Sequence, residues 1–338
     1  MTRPNDSDLA PRELHVLVAV ADAGGFSAAA EALGLTQSAV SHSVRGSERK
    51  IGAVLFERGR SGARPTLAGD KAVAYARRIL RVLDVLTVEA RDAARSDGTR
   101  SGGGVRGPLR IAAFRSAALH LLPPVLERLR ARYPGIEPRV RIVRELGRGT
   151  VGEVADGKAD LAIATLGGAE ALPPGLIARD LLEEPYSLVY PAGHTVPRSL
   201  PLVDWAENCG SYTRDWWAAQ DWIPPATVEA EDDGAVLSLV SAGHGMAIMP
   251  ALSLTGATDS VGITDLGADR PTRRVGYVTT DELATTAVVR AAVRELRATV
   301  PEVVALLGGT PGETRLGRVP GLRPRGVPLS GLPAVGTS

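Results

Sequence analysis

Residues 26–45 read FSAAAEALGLTQSAVSHSVR, with Ala30, Gly34 and Val40 standing four and six positions apart. That spacing is the skeleton of a helix-turn-helix, in which a short support helix turns tightly into a second helix able to lie in a DNA major groove. Ala30 is small where the two helices nearly touch. Gly34 supplies the positive φ of the turn at little cost, and Val40 faces inward to pin the second helix to the first. The outward stripe of that second helix then comprises Gln37, Ser38, Ser41, His42 and Arg45, all able to donate hydrogen bonds and none acidic. Ser27 is placed to cap the support helix and is counted with the candidate DNA contacts; Thr36 is placed to cap the second helix. A helical hairpin inside another core would share the spacing, and the flanking sequence decides against it.

Upstream, a helix is predicted from Pro11, a favoured first-turn residue, with Leu14, Leu17, Val18 and Ala21 as its buried stripe. Downstream comes LFERGRSGARPTLAG (55–69). Leu55-Phe56 reads as a short strand and Thr66-Leu67 as its return. The Arg/Gly turn between them has the shape of a basic wing that touches phosphate or the minor groove. From Gln37 to Thr66 the chain carries six bases, Arg45, Arg49, Lys50, Arg58, Arg60 and Arg64, against Glu48 and Glu57. A solvated basic face is the ordinary alternative, but coincidence with the helix-turn-helix favours a nucleic-acid surface.

The chain has 338 residues, enough for two or three domains, and its 44% hydrophobic and 23% charged content is that of a soluble globular protein. MTRPNDSDLAPRE at the start has no apolar run, so neither a secretory signal nor a membrane span is expected and the location reads as cytoplasmic. A single cysteine, Cys209, excludes an internal disulfide. No His/Cys spacing suggests a metal, and no cofactor is expected. Beyond the wing, Ala72, Ala76, Ile79, Leu83, Leu86, Ala90 and Ala93 follow a heptad seam. Ile79, Leu83 and Leu86 are its candidate dimer contacts; packing onto its own domain is the alternative. A Gly/Ser-rich linker follows. Strands (LRIAA, RVRIV, DLAIAT, YSLVY, VEAE, GMAIMP, RRVGYVTT) then alternate with helices, which predicts an α/β domain with largely parallel sheets. Pro185 and PAGHTVPRSLP suggest a crossing into a second lobe.

The runs LVAVADAGGFSAAAEALGLTQSAVSHSVR (17–45) and LFERGRSGARPTLAG closely resemble the DNA-binding domain of LysR-type transcriptional regulators. GPLRIAAFRSAALHLLPPVLERLRARYPGI (107–136), VADGKADLAIA, DLLEEPYSLVYPAGH and LVSAGHGMAIMP resemble that family's effector-binding domain, a two-lobed fold similar to periplasmic solute-binding proteins. The resemblance implies a winged helix-turn-helix at 9–66, a dimerisation helix at 67–96, a flexible hinge at 97–107 and an effector domain of two α/β lobes at 108–305. Residues 308–338 read as a disordered Pro/Gly-rich tail. It further implies a sequence-specific regulator, a homodimer or homotetramer, with a small-molecule effector between the lobes. Gln37, Ser38, Ser41 and His42 would read bases or phosphates, and Arg58, Arg60 and Arg64 would supply wing contacts. Two departures stand out. Ser47 and Gly46 sit where a leucine-like residue and a good helix former are wanted, which predicts a loose end to the recognition helix. In Phe114-Arg115-Ser116, where many relatives carry small hydroxyl residues at the first and third positions, Phe114 and Arg115 suggest a different ligand, or a bulkier and partly apolar one.

For the effector, the carboxyl end of LRIAA at a helix start suits an anion, with Phe114, Arg115, Ser116 and the backbone at Ala117–Ala118 on one side and Ser211 and Thr213 closing from the other. A helix cap is the plainer role for Ser116. GRGTVG (147–152) matches a dinucleotide fingerprint but lacks the strand directly before it and the long helix after it. There is no Gly-x-Ser-x-Gly elbow, and the histidines sit in unhelpful places, so an enzyme is not expected. Asp232-Asp233 read as an N-cap and a first-turn acid. Trp205, Trp216, Trp217 and Trp222 read as core, with a cleft wall as the alternative. A two-lobed solute-binding protein without a regulatory role is the rival function.

Overall fold

The computed structural model describes residues 8–59, 62–96, 104–167, 171–208 and 211–307. Arg60, Cys209, the hinge residues 97–103 and the tail 308–338 lie outside the described residues, as do the side chains of Arg58 and Ser211.

The N-terminal unit comprises α1 (Pro11–Ala23), α2 (Phe26–Leu33), α3 (Gln37–Ile51) and the strand pair β1 (Phe56–Gly59) and β2 (Gly62–Pro65). Its core brings Val16, Leu17 and Val20 of α1 against Ala29 and Ala30 of α2 and Val40 and Val44 of α3, closed by Leu55, Phe56 and Ala63. Gly34 ends α2 at φ 62°, the left-handed turn that glycine adopts without strain. Thr36 caps α3 by accepting the Ala39 N–H at 3.2 Å. α3 continues without a break past Gly46 and Ser47 to Ile51. Ser47 is wholly buried and donates to the Ser43 carbonyl at 3.2 Å, so the hydroxyl is satisfied inside the core. The wing is stitched to α1: the Ala63 N–H donates to the Gly24 carbonyl at 2.8 Å, and a Cβ on Gly62 would stand 2.2 Å from that oxygen. Its return strand stops at Pro65, short of the expected Thr66-Leu67. Thr66 instead caps the next helix, α4 (Leu67–Ser96), by accepting the Gly69 N–H at 3.0 Å.

The C-terminal unit begins with β3 (Arg106–Ala113) and a π-helical turn, Ala117–Leu121, that leads into α5 (Leu122–Arg132). Then come β4 (Gly135–Ile142), α6 (Gly149–Ala155), β5 (Leu161–Leu166), β6 (Leu176–Pro191), β7 (Leu202–Trp205), α7 (Ser211–Ala218), β8 (Ala226–Ala230) and α8 (Asp233–Ser241). It closes with β9 (Ala247–Pro250), β10 (Val261–Asp265), β11 (Thr272–Thr280), α9 (Asp281–Ala284) and α10 (Ala287–Leu307). The strands run β10-β6-β11-β5-β3-β4, with β9 also paired to β6.

The sheet is less parallel than the alternation of elements predicts. β4, β3 and β5 are parallel, but β11 is antiparallel to both β5 and β6, and β9 and β10 are antiparallel to β6. β6 runs unbroken through Pro185, where the sequence suggests a crossing into a second lobe. Up to Pro185 its partner is β11; from Tyr186 its partners are β9 and β10. The proline sits where one ladder hands over to the next, so its missing N–H costs no bond. The first half of β6 belongs to lobe I, with β3, β4, β5, β11 and the helices α5, α6, α9 and α10. Its second half belongs to lobe II, with β7 to β10, α7 and α8. GRGTVG makes a turn and the seven-residue α6, too short for the helix of a dinucleotide fold.

Candidate nucleic-acid interface and effector cleft

Gln37, Ser38, His42 and Arg45 are exposed along one side of α3, and no acidic side chain interrupts them. Ser41 is not with them. It retains 7% of its surface and sits beside Val40 and Val44, because the buried stripe of α3 is one residue wider than the apolar pattern reveals. Ser27 is exposed but lies inside α2, whose cap is Gly25. Arg64 is exposed on β2, one of the two strands that frame the basic turn. Glu48, an acid within this basic region, is turned inward, its Oε1 accepting the Leu55 N–H at 2.9 Å, so it braces the wing against α3.

α4 divides its seam between two jobs. Ala76 and Val73 are buried within the subunit, as the alternative reading of the seam allows, and Ala72 packs on the N-terminal core. On another side of the helix, Tyr75, Ile79, Val82 and Leu86 leave large apolar surfaces in solvent, Leu86 62% of its own, with Leu83 half-buried. The opposite side of α4 is tied to lobe I. Arg81 Nε meets the wholly buried Asp160 at 2.8 Å, Arg110 Nη2 meets the same carboxylate at 2.7 Å, and Arg81 Nη2 donates to the Pro108 carbonyl at 2.6 Å. Arg78 pairs with Glu282 at 3.2 Å.

Between the lobes lies a cavity of about 870 Å³ that brings together Phe114, Arg115 and Ser116. Phe114 is buried beneath Arg273, whose guanidinium carbon is 4.6 Å from the ring centre. Ser116 is buried and caps nothing; its Oγ accepts from Arg273 Nη2 at 3.2 Å. Arg273 Nε also meets the buried Glu184 at 2.6 Å, and Glu184 accepts the Leu252 N–H at 2.6 Å. Arg115 crosses to lobe II, 2.8 Å from Asp233 Oδ1. A second pair across the lobes joins Arg144 to Glu207 at 2.9 Å. Glu145, in the cavity wall, accepts the N–H groups of Thr150 and Thr165 at 3.0 and 3.3 Å. Burial pushes its carboxyl above the usual range, against the pull of those N–H groups and of Arg273. Burial likewise lowers His120, opposed by Asp233.

The bacterial regulatory helix-turn-helix model of the lysR family matches residues 11–70, and the LysR substrate-binding domain model matches residues 102–301. The chain belongs to the LysR family. It is a DNA-binding transcriptional regulator with an effector-binding domain, and its relatives are regulators rather than enzymes. A protein described as a probable HTH-type transcriptional regulator, LrrA, of Synechococcus elongatus is 35% identical over 254 residues, 71% of this chain and 81% of that one. Full-length OxyR of Pseudomonas aeruginosa is similar in fold, with TM-score 0.61 at 21% identity over 86% of this chain and 94% of that one. So is full-length CbnR complexed with its target DNA, with TM-score 0.58 at 21% identity over 86% and 100%. The helix-turn-helix match removes the rival of a solute-binding protein without a regulatory role.

Within this LysR-type chain, several expected effector contacts sit differently. The Ala118 N–H is already spent on the Phe114 carbonyl at 2.9 Å, and Ala117 is wholly buried, so an anion grip by the Ala117–Ala118 backbone is not available. Thr213 is buried and is not among the described residues lining the cavity; lobe II contributes Trp205, Ala206, Glu207 and Asp233 instead. Trp205 is therefore both core and cleft wall, whereas Trp216, Trp217 and Trp222 pack into a small lobe II core. Asp232 caps α8 as expected, accepting the Ala235 N–H at 2.9 Å. Sequence reasoning missed Glu184, Arg273, Glu145 and Glu207. The one signal available was the pair Arg273-Arg274 heading an otherwise apolar strand. Among the described residues no helix is long and apolar enough to cross a membrane, and no cluster of His, Cys, Asp and Glu is built to hold a metal.

Proposed function

We propose that α3 enters the major groove with Gln37, Ser38, His42 and Arg45 against base edges and phosphates, while Arg58, Arg60 and Arg64 of the wing meet phosphate or the minor groove. The observation that carries this reading is the exposed, acid-free side of α3 beside the basic wing. Ser27, at the start of α2, is assigned a phosphate contact. Two copies pair through Ile79, Leu83 and Leu86, giving a homodimer or a tetramer built from it, in the cytoplasm. The chain then divides into a winged helix-turn-helix (9–66), a dimerisation helix (67–96), a hinge (97–107) and an effector domain (108–305). A small anionic molecule, a carboxylate above all, binds between the lobes at Arg115, Ser116 and Arg273 and changes promoter binding. Its support is that two guanidiniums and a buried hydroxyl line the cavity.

Binding of the full chain to the DNA upstream of its own gene, titrated at several salt concentrations, tests the first part. Arg64→Ala is expected to weaken all sequences alike and to flatten the log K against log salt slope by about 0.9. Gln37→Ala is expected to cost about 1–3 kcal/mol at particular base positions only. An unchanged slope in Arg64→Ala, or a sequence-independent loss in Gln37→Ala, refutes the assignment.

A further inference from the structure

Arg115 opens the helical segment after β3, yet its guanidinium rests on the N-terminus of α8 in lobe II. A cation is badly placed at the positive end of a helix, and two carboxylates hold it there. Asp233 Oδ1 stands 2.8 Å from Nη1, and Asp232 Oδ1 stands 3.7 Å from Nε. The second oxygen of Asp233 accepts from Ser253 Oγ at 2.6 Å, and Asp233 keeps only 6% of its surface. A carboxylate bound by a guanidinium on one oxygen and a hydroxyl on the other is how a binding site holds an acid; here the acid belongs to the protein. Gly234 explains itself in the same way. Its φ lies outside the left-handed region, in the first turn of a helix where alanine is preferred. A Cβ there would stand 2.2 Å from Arg115 Nη2, so the glycine clears the seat for the guanidinium.

We propose that Asp233 is an internal competitor: it occupies on Arg115 the place that the anionic group of the effector takes, and the effector must displace it to bind. This rests on the reading of the cleft as an anion-binding site. Arg115, Asp233 and Gly234 then set effector specificity together. An anion gains Arg115 only by outcompeting a carboxylate already held by Ser253, which selects acids that bring further contacts to Ser116 and Arg273. Displacement also breaks a bond between the lobes, so binding and lobe movement are one event.

The test uses the full chain and its Asp233→Asn, Gly234→Ala, Arg115→Met and Glu231→Gln variants. Each is titrated calorimetrically with phosphate, succinate, citrate and benzoate, with putrescine and glucose as cationic and uncharged controls. Glu231 is exposed and removes the same charge two residues away. The expected result is that at least one anion binds about tenfold tighter to Asp233→Asn and to Gly234→Ala, a gain of about 1.4 kcal/mol. Glu231→Gln leaves that affinity close to the parent's, and Arg115→Met abolishes it. Anion binding that is lost in Arg115→Met but no tighter in Asp233→Asn and Gly234→Ala overturns the competitor while leaving the effector reading intact. Equal gains in Asp233→Asn and Glu231→Gln overturn it as a bulk charge effect. Binding of putrescine or glucose alone, or of no probe to any variant, overturns both the proposal and the anionic reading.

Discussion

Asp160→Asn probes the joint between the linker helix and lobe I. Asp160 Oδ1 accepts from Arg81 Nε at 2.8 Å and from Arg110 Nη2 and Nε at 2.7 and 3.2 Å, while Oδ2 accepts the Arg110 N–H at 2.8 Å. An asparagine fits the space but fails the chemistry. With its carbonyl toward the guanidiniums, its NH₂ faces a backbone N–H; turned over, the NH₂ faces two cations. In either orientation Arg81, only 8% exposed at its side chain, loses its counter-charge. Breaking one partner of a buried pair costs about 3–5 kcal/mol, and the partial exposure of Arg110 points to the lower end, about 3 kcal/mol. At roughly 2–4 °C per kcal/mol for a unit of this size, the effector domain should melt about 6–12 °C lower. Thermal denaturation of the full chain followed by circular dichroism measures it. Arg81→Met, which leaves Asp160 its bonds to Arg110, should cost less. A melting point within about 2 °C of the parent for Asp160→Asn refutes the reasoning, as does an Arg81→Met variant that falls just as far.

Other outcomes follow from smaller features. Gly46 lies within α3, and a Cβ there would meet only Glu13 Oε1 at 3.7 Å, an ordinary contact; Gly46→Ala should gain about 1 kcal/mol in a urea titration, and a loss of stability would show that the backbone needs glycine. Burial opposes the charge on Glu13, but the hydrogen bond from Lys50, the Ala10 N–H and the Lys50 charge outweigh it and hold the carboxyl below its usual value. Its contribution is therefore present above the unfolded carboxylate range, and the stability gap between parent and Glu13→Gln should close as pH falls below 4.5, the usual value, through the lowered one. A gap that widens on acidification contradicts the pairing. Leu86→Glu places a charge in the exposed seam of α4 and should convert the assembled chain to smaller species in sedimentation; unchanged sedimentation would remove the seam from the interface.

Legibility in the sequence tracked the distance over which each feature is decided. The helix-turn-helix is local: Ala30, Gly34 and Val40 fix it within a dozen residues, and Thr36 caps α3 from three positions away. The burial of Ser41 is also local but silent, because a serine carries no apolar mark in the stripe that Val40 and Val44 define. The continuity of β6 was hidden by Pro185, since which strand stands opposite a proline depends on residues nearly ninety positions later. The cleft was half-readable. Arg115 and Ser116 could be named from the strand-to-helix position, but their partners Asp233 and Arg273 lie 118 and 157 residues away, and nothing in a single sequence pairs them.

The handover at Pro185 has a consequence for how lobe II is attached. Residue 186 leaves lobe I beside residue 271, which returns to it: the Tyr186 N–H donates to the Pro271 carbonyl at 3.0 Å, and Pro185 stands opposite Thr272 in the ladder. Topologically the whole second lobe is the loop of a hairpin whose arms are β6 and β11. A cassette inserted this way has adjacent ends, so it can be exchanged without re-threading its host. Among the described residues, the ion pairs of α4 meanwhile go to Asp22, Glu282 and Asp160. What holds lobe II in its posture on lobe I is the hairpin together with the contacts across the cleft. The cassette can therefore change over evolutionary time while the host lobe keeps its own strand order.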